Sequence, residues 1–355
     1  MKNTIEKNFW KNKKVFITGH TGFKGSWLSL FLNYLGADVT GYSLEPNTKP
    51  SLFDLAKIKN VIKKSIIADV RDYKKLKSEL DKSKATIVFH LAAQPLVRLS
   101  YIHPKDTFDV NFTGSLNILH AIKKNKRVKT GIIITTDKVY DISKNKIFRE
   151  EDTLKGSDPY SASKVCVEFL YNSYQKSFFS KSDKMIATVR AGNVIGGGDY
   201  SLDRLIPDIY KSSLKNKKIF IRNPNAIRPW QHVLEPLSGY LKLAKIMYEE
   251  NKFIGQSFNF GPNNKNNYSV LDLTKAIALN FDKSEYWTIK KYKKFHEAKL
   301  LKLNSRKANK LLNWKSKLSF KETAEFTASW YLNYFDKKID LKIFTLNQIS
   351  AYFKK

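Results

Sequence analysis

The chain has 355 residues, 42% of them hydrophobic, and its 64 lysines and arginines against 32 acidic residues give a formal net charge of +32. That apolar content is too high for a disordered polybasic chain, and no run of about 18 apolar residues exists to cross a membrane, so a globular protein of about two domains or one large α/β unit is expected. A single cysteine, Cys166, excludes an intrachain disulfide, and no Cys/His cluster has zinc-ligand spacing, so no metal site is expected.

In chain order, the first strong pattern is the apolar run Val15-Phe16-Ile17, then a glycine-containing turn and an apolar-periodic stretch over 26–35, which reads as strand, tight loop, helix. Further strands are expected over 37–42, 65–68 and 85–90, with a helix over 73–82. A long helix over 104–124, a buried strand over 130–136, a helix over 160–177 and a strand over 185–190 follow. Strands alternating with helices imply right-handed crossovers and a parallel sheet covered on both faces. The fold class is therefore α/β, with a doubly wound parallel sheet over 1–190. Beyond Arg190 the rhythm loosens through Gly196-Gly197-Gly198, so 191–355 is expected to form a smaller α/β substrate lobe, with the chain returning to the first domain near 229–262. The stretch 263–267 reads as an exposed loop.

The charge invites a nucleic-acid reading, because neutralisation of phosphates by Lys and Arg dominates such affinity. Only nine of the basic residues are Arg, and the lysines are spread along the whole chain. Arg supplies the bidentate fork for base edges and phosphates, so its scarcity argues against nucleic acid and for solvated lysine faces. Small anions remain suitable partners. The first 14 residues are polar and lack the apolar core of a signal peptide, so a cytoplasmic protein with no membrane partner is expected.

Between the first strand and helix stands Gly19-His20-Thr21-Gly22-Phe23-Lys24-Gly25, with glycines at three-residue intervals. Such glycines permit a tight turn, a close backbone approach to a pyrophosphate and close helix packing, while the helix N-terminus attracts the anion. Gly19, Thr21, Gly22, Phe23, Lys24 and Gly25 are thus candidates for holding a dinucleotide; the plainer alternative is an ordinary glycine-rich loop. An acidic residue at the end of the second strand would bind the adenosine ribose and an Arg a 2′-phosphate. Gly41-Tyr42-Ser43-Leu44-Glu45 has no Arg, which favours NAD over NADP, with Ser43 and Glu45 both within reach of the ribose. Asp69-Val70 follows the third strand where adenine contacts fall, although Asp69 could equally cap the next helix.

Tyr160 and Lys164 lie four residues apart, on one face of a helix. A nearby ammonium favours phenolate over phenol, which would make Tyr160 a base, and Lys164 could also hold ribose hydroxyls. In a chain so rich in lysine the pair alone is weak. It gains weight from the upstream glycine loop and from Thr136 at the end of the intervening strand.

Taken together these features resemble the extended short-chain dehydrogenase/reductase family, which contains NAD-dependent epimerases and dehydratases. The matching residues are Gly19, Gly22 and Gly25, the stretch His90-Leu91-Ala92-Ala93-Gln94, Asn111, Thr136, and Tyr160 with Lys164, and the likeness covers nearly the whole chain. It implies a Rossmann domain holding NAD, with Leu91, Ala92 and Ala93 along the cofactor, a C-terminal nucleotide-sugar lobe, a Thr136, Tyr160, Lys164 triad, and a homodimer or dimer of dimers formed by the helices around 104–124 and 160–177.

Next to Thr136 stand Asp137 and Lys138. Epimerases of the family carry small or neutral residues there, and the TDP-glucose and GDP-mannose dehydratases an acidic pair. Asp-Lys resembles the branch that dehydrates CDP-glucose, as do the longer segments GHTGFKGSWL, AAQPLVRLSY, RAGNVIGGGD and RNPNAIRPWQHVLEPL. Thr135 stands before Thr136 where Thr-Ser is usual, and Tyr200 where Trp is usual; one keeps a hydroxyl and the other an aromatic ring. The resemblance implies catalytic roles for Thr136, Asp137, Lys138, Tyr160 and Lys164. It also implies loss of water by oxidation at C4, elimination across C5–C6 and hydride return to C6. Lys138 is the expected C5 base, a role that needs an unprotonated amine, or else a charged stabiliser of the enolate. Arg228 is the first candidate for the diphosphate because its planar fork suits phosphate oxygens. Asn193, Arg204 and His296 are further candidates, and Gln94, Arg98 and Tyr101 for the hexose. Cys166 reads as a small core residue rather than a nucleophile.

Overall fold

The structure is a computed structural model that describes residues 7–144, 146–215, 217–221, 223–263, 267–281, 287–289 and 301–355. Seven strands form the central sheet: β1 (Lys14–Thr18), β2 (Asp38–Ser43), β3 (Lys64–Ile67), β4 (Ile87–His90), β5 (Thr130–Ile134), β6 (Met185–Ala191) and β7 (Ser257–Phe260). Their spatial order is β7-β6-β5-β4-β1-β2-β3 and every pair is parallel. The order reverses between β1 and β4, and that switch point is where a doubly wound sheet opens its ligand crevice.

The strands are apolar on both faces because both faces are covered. Val15 and Ile17 of β1, Ile87 and Phe89 of β4, and Ile132 and Ile134 of β5 join one core. Phe16, Val88 and Ile133, the residues between them, join the other. The first face is covered by α1 (Phe23–Tyr34) and the second by α2 (Tyr73–Ser83), α3 (Gly114–Lys124) and α4 (Pro159–Tyr174), the last of which contributes Val167 and Tyr171 to the second core and Val165 to a small third cluster.

Beyond β6 the chain forms α5 (Leu205–Leu214), returns to the sheet through α6 (Leu234–Glu250) and β7, and ends in α7 (Phe320–Asp336) and α8 (Leu341–Lys354). Helix α8 packs on α1, where Tyr34 donates to Ser350 Oγ at 3.3 Å, so the C-terminus belongs to the sheet's own layer rather than to the second lobe. Of three two-stranded parallel pairs, Ile147–Phe148 with Lys302–Leu303 joins the two parts of the chain, while Val194–Ile195 with Gln231–His232 and Ile219–Ile221 with Trp287–Ile289 lie beyond β6. The triple-glycine segment wedges between two tryptophans. Trp27 donates its indole N–H to the Gly197 carbonyl at 2.9 Å, and a Cβ on Gly197 would fall 1.9 Å from the Trp330 ring. No helix among the described residues is long and apolar enough to cross a membrane.

Candidate active site

A cavity of about 660 Å³ opens at the C-terminal edge of the sheet, between the loops after β1, β4, β5 and β6 and the second lobe. That size and position are those of a small-molecule site. Its floor is the glycine loop. Gly19 takes φ +79°, and a Cβ there would stand 2.6 Å from the Ala92 nitrogen, so only glycine lets the β1 and β4 loops meet. A Cβ on Gly25 would strike the Gly19 carbonyl at 2.0 Å. Gly22 is different: its nearest neighbour would be an ordinary 3.4 Å away, and it lines the cavity as the N-cap of α1, where no side chain caps the helix. Bare amide donors at the start of α1 therefore face the cavity, which fits a pyrophosphate.

The rest of the cradle follows the same path. Thr21 donates to the Leu44 carbonyl at 2.8 Å, and its hydroxyl meets Ser43 Oγ at 2.9 Å, which ties the loop to the end of β2. Thr21, Phe23, Lys24, Ser43, Glu45, Asp69, Val70, Leu91, Ala92 and Ala93 all line the cavity. Asp69 does not cap the next helix; Asp72 does, accepting from the Lys75 N–H at 3.0 Å, while Asp69 is held by Arg71 at 2.6 Å. The residues present thus fit an extended dinucleotide.

At the other end stand the reactive side chains. Thr136 follows β5 and donates its hydroxyl to Asp137 Oδ1 at 3.0 Å. Asp137 is fully buried, its Oδ2 has no hydrogen-bond partner among the described residues, and a Cβ on Gly192 would lie 1.6 Å from that oxygen. Gly192, at the end of β6, is what makes room for the carboxyl group. Lys138, about one-third exposed, reaches the same carboxyl at 3.7 Å through Oδ1.

Tyr160 enters on the first turn of α4, which is fixed by Pro159 at its start and by a capping box between Asp158 and Ser161. Burial pushes its phenol up to about 12, against hydrogen bonding with Thr136, which lowers it. Among the neighbouring charges Arg204 lowers it while Asp137 and Asp158 raise it, so the depression expected from Lys164 does not prevail. Lys164 instead donates to the Ile134 carbonyl at 3.2 Å, and burial lowers it to about 8 against the pull of Glu168. It is charged at neutral pH and close to losing that charge.

The supporting framework is polar and closed. Glu168, one turn beyond Lys164, is fully buried and pairs with Arg190 of β6 at 2.8 Å, while accepting from Thr135 at 2.6 Å and Thr188 at 2.8 Å. Asn111 accepts from the Gln94 N–H at 2.8 Å and donates to Ser163 Oγ at 2.8 Å, which joins the loop after β4 to α4. His20 sits between the loop glycines yet faces β2: its ring packs where a Cβ on Gly41 would be, it meets Ser65 Oγ at 2.7 Å, and burial lowers it to about 4.

The substrate candidates separate. Arg98, Tyr101, Asn193, Arg204 and Arg228 line the cavity. Arg204 is anchored by Asp199 at 2.9 Å, and Arg98 bridges to Asp203 at 2.7 Å across the mouth. Asn193 takes the left-handed φ of +46°, with its buried Oδ1 lacking a hydrogen-bond partner among the described residues, as does the nearby Trp230 indole N–H. Gln94 departs from expectation: its amide donates to the Leu96 carbonyl and Thr107 Oγ1 and accepts from the Leu96 N–H, so it shapes the loop instead of lining the cavity. His296 lies outside the described residues. Cys166 is half-buried rather than a core residue, and it is not among the cavity residues. No metal-ligating cluster occurs among the described residues. Missed from sequence were Gly192, Asp199 and the Glu168–Arg190 pair. Gly192 and Asp199 stand inside the segment RAGNVIGGGD, but their contacts arise only through folding.

Known proteins share this architecture. The sequence profile of the family described as GDP-mannose 4,6 dehydratase matches residues 16–327. A CDP-glucose 4,6-dehydratase from Salmonella typhimurium is 42% identical over 355 residues, covering 98% of both chains. Among solved structures, an epimerase from Methanothermobacter thermautotrophicus superimposes with a TM-score of 0.80 at 22% identity over 94% of this chain and 96% of its own. A dTDP-glucose 4,6-dehydratase from Bacillus anthracis in complex with NAD gives 0.76 at 20% over 93% and 98%. The profile match over most of the chain, backed by a full-length relative, makes this protein a member of the GDP-mannose 4,6 dehydratase family, within the extended short-chain dehydrogenases/reductases.

Proposed function

We propose that the protein is an NAD-dependent 4,6-dehydratase of a nucleotide-linked hexose, acting on CDP-D-glucose to give CDP-4-keto-6-deoxy-D-glucose with loss of water. The observation that carries this reading is the buried Asp137 with Lys138 beside the Thr136, Tyr160 and Lys164 set. Interconversion of epimers needs one acid–base group; dehydration needs two more, and the cavity contains them. The Salmonella relative supports the choice of CDP-glucose.

Bound NAD supplies a reversible store for one hydride, taken from C4 and returned to C6. Tyr160, assisted by Thr136, accepts the C4 hydroxyl proton as a phenolate, the form that the Lys164 charge stabilises. The C4 ketone acidifies the C5 proton, which Lys138 removes and gives back to C5 as the hydride returns to C6. Asp137 delivers a proton from its unbonded Oδ2 to the departing C6 hydroxyl. Arg204, Arg228 and Asn193 hold the nucleotide diphosphate in the second lobe, while Arg98 and Tyr101 close over the hexose. Such 6-deoxy-4-keto sugars feed deoxysugars of surface polysaccharides such as lipopolysaccharide O-antigens, and a cytoplasmic homodimer fits a nucleotide-sugar enzyme with one free thiol.

Incubation with CDP-, TDP-, UDP- and GDP-hexoses, followed by the alkaline absorbance of 4-keto sugars, tests the assignment. Turnover of CDP-glucose is expected. Turnover of only another nucleotide sugar would overturn the base specificity, and epimerisation without dehydration would overturn the reaction.

A further inference from the structure

Gln231 is 1% exposed and stands between Trp230 and His232, in the short strand that pairs with Val194–Ile195. The β6–β7 ladder ends at Ala191 opposite Phe260. At that end the carbonyls of Gly192 and Phe260 accept from the Gln231 side-chain amide at 3.1 and 2.9 Å, and the Gln231 backbone N–H donates to the Asn193 carbonyl at 3.3 Å. Gln231, not itself among the cavity residues, thus fixes two successive residues that are, Gly192 and Asn193. Its Oε1 is buried with no hydrogen-bond partner among the described residues, an arrangement that costs stability and that an apolar side chain would avoid. On its other side Gly192 walls the Asp137 pocket. A Cβ there would stand 1.6 Å from Asp137 Oδ2 and 2.2 Å from its Cγ, so the carboxyl group lies directly on the Gly192 backbone.

We propose that Gln231 is a positioning residue for the loss of water: by holding the Gly192 carbonyl it keeps that backbone against Asp137 and so aims Oδ2 at the departing C6 hydroxyl. The inference rests on the reading of Asp137 as the acid. In this step the C5–H bond breaks toward Lys138 and the C5–C6 double bond forms. The C6–O bond breaks with its electron pair, and the oxygen takes the Asp137 proton and leaves as water. Oxidation at C4 comes first and uses Tyr160, Thr136 and Lys164, none of which shares a hydrogen bond with Gln231 among the described residues. A close-packed interior fixes a side chain through its walls, and a misplacement of ~1 Å in a reacting group costs about 10²-fold in rate. Freeing the Gly192 carbonyl therefore slows elimination and leaves the earlier oxidation alone.

The test is a single turnover of CDP-glucose by the full-length chain loaded with NAD. The native protein is compared with Gln231→Met, Asp137→Asn and the double variant, with circular dichroism as the check on folding. Gln231→Met keeps the length of the side chain and removes both donors. Oxidation at C4 is read from the absorbance of reduced nicotinamide, and elimination from the appearance of the 4-keto-6-deoxy sugar. In Gln231→Met elimination should fall by about tenfold or more while oxidation stays within about twofold of the native rate, so that reduced cofactor accumulates. In the double variant, Met should add less than about twofold to the loss in Asp137→Asn, because both changes act through one carboxyl group. Gln231→Asn, which withdraws the amide by one methylene and keeps a polar side chain, should show the same split and carries the test if Gln231→Met does not fold. Equal slowing of oxidation and elimination, or a full further loss in the double variant, overturns the proposal and leaves Gln231 a structural clamp. Elimination at the native rate in Asp137→Asn would instead remove the reading of Asp137 as the acid.

Discussion

The division of labour between Asp137 and Lys138 turns on one carboxyl group in a tight pocket. Oδ1 receives the Thr136 hydroxyl and the Lys138 contact, and Oδ2 is left unbonded against Gly192. The proposed acid and base are thus in contact with each other, with Asp137 buried and Lys138 about one-third exposed at the cavity. Replacing Lys138 with Met removes the amine while keeping its stem. In that variant we expect C4 oxidation to persist, seen as a nicotinamide absorbance change on mixing with CDP-glucose, while solvent-deuterium exchange at C5 falls by about 10²-fold or more, the size of a lost general base. Exchange undiminished in Lys138→Met would make Lys138 a charge stabiliser rather than the base.

At the scale of elements, the hydrophobic periodicity placed the first six strands to within a few residues. A parallel sheet buried on both faces writes itself as apolar runs, such as Ile-Ile-Ile in β5 and Met-Ile-Ala in β6. The expected helix runs without a break over Pro104–Lys124, but it widens into a π turn at Asp109–Thr113 before α3. The widened turn holds Asn111, whose bonds to Gln94 and Ser163 are long-range and leave no periodic trace. The same holds for Glu168, which reads as an ordinary polar residue on α4 but folds into a buried clamp with Arg190. Burial opposes its charge, yet Arg190 and the hydroxyls of Thr135 and Thr188 hold its carboxyl below the ordinary range. A depressed folded value means that this contribution is present at neutral pH and is lost as acid protonates the group. Glu168→Ala leaves Arg190 buried without its partner, so urea denaturation at neutral pH should show a loss of about 3–5 kcal/mol. A loss below about 1 kcal/mol, typical of an exposed pair, would mean that the clamp is dispensable.

For the whole molecule, the net charge of +32 and the proposed homodimer pull in opposite directions. Two such copies repel, so association must come from apolar surface rather than charge. That surface is present: Phe169 on α4 is 59% exposed, Phe178 just beyond it 42%, and Ile102, on a helix that packs against α4, 68%. Phe169 lies on α4, which covers the second face of the sheet, Phe178 lies just beyond it and neither lines the cavity, whereas Ile102 directly follows the cavity residue Tyr101. The two forces respond oppositely to salt. Repulsion between surface lysines weakens as the Debye length shrinks from ~10 Å at 0.1 M to ~3 Å at 1 M, whereas burial of phenylalanine rings does not depend on it. Dimer affinity measured by sedimentation should therefore rise with salt, the reverse of an assembly held by ion pairs. Placing Glu at both Phe169 and Phe178 should yield a folded monomer, because two buried carboxylates cost more than attraction to nearby lysines returns. If the native chain sediments as a monomer at every salt concentration, the exposed rings belong to some other contact and the homodimer is lost.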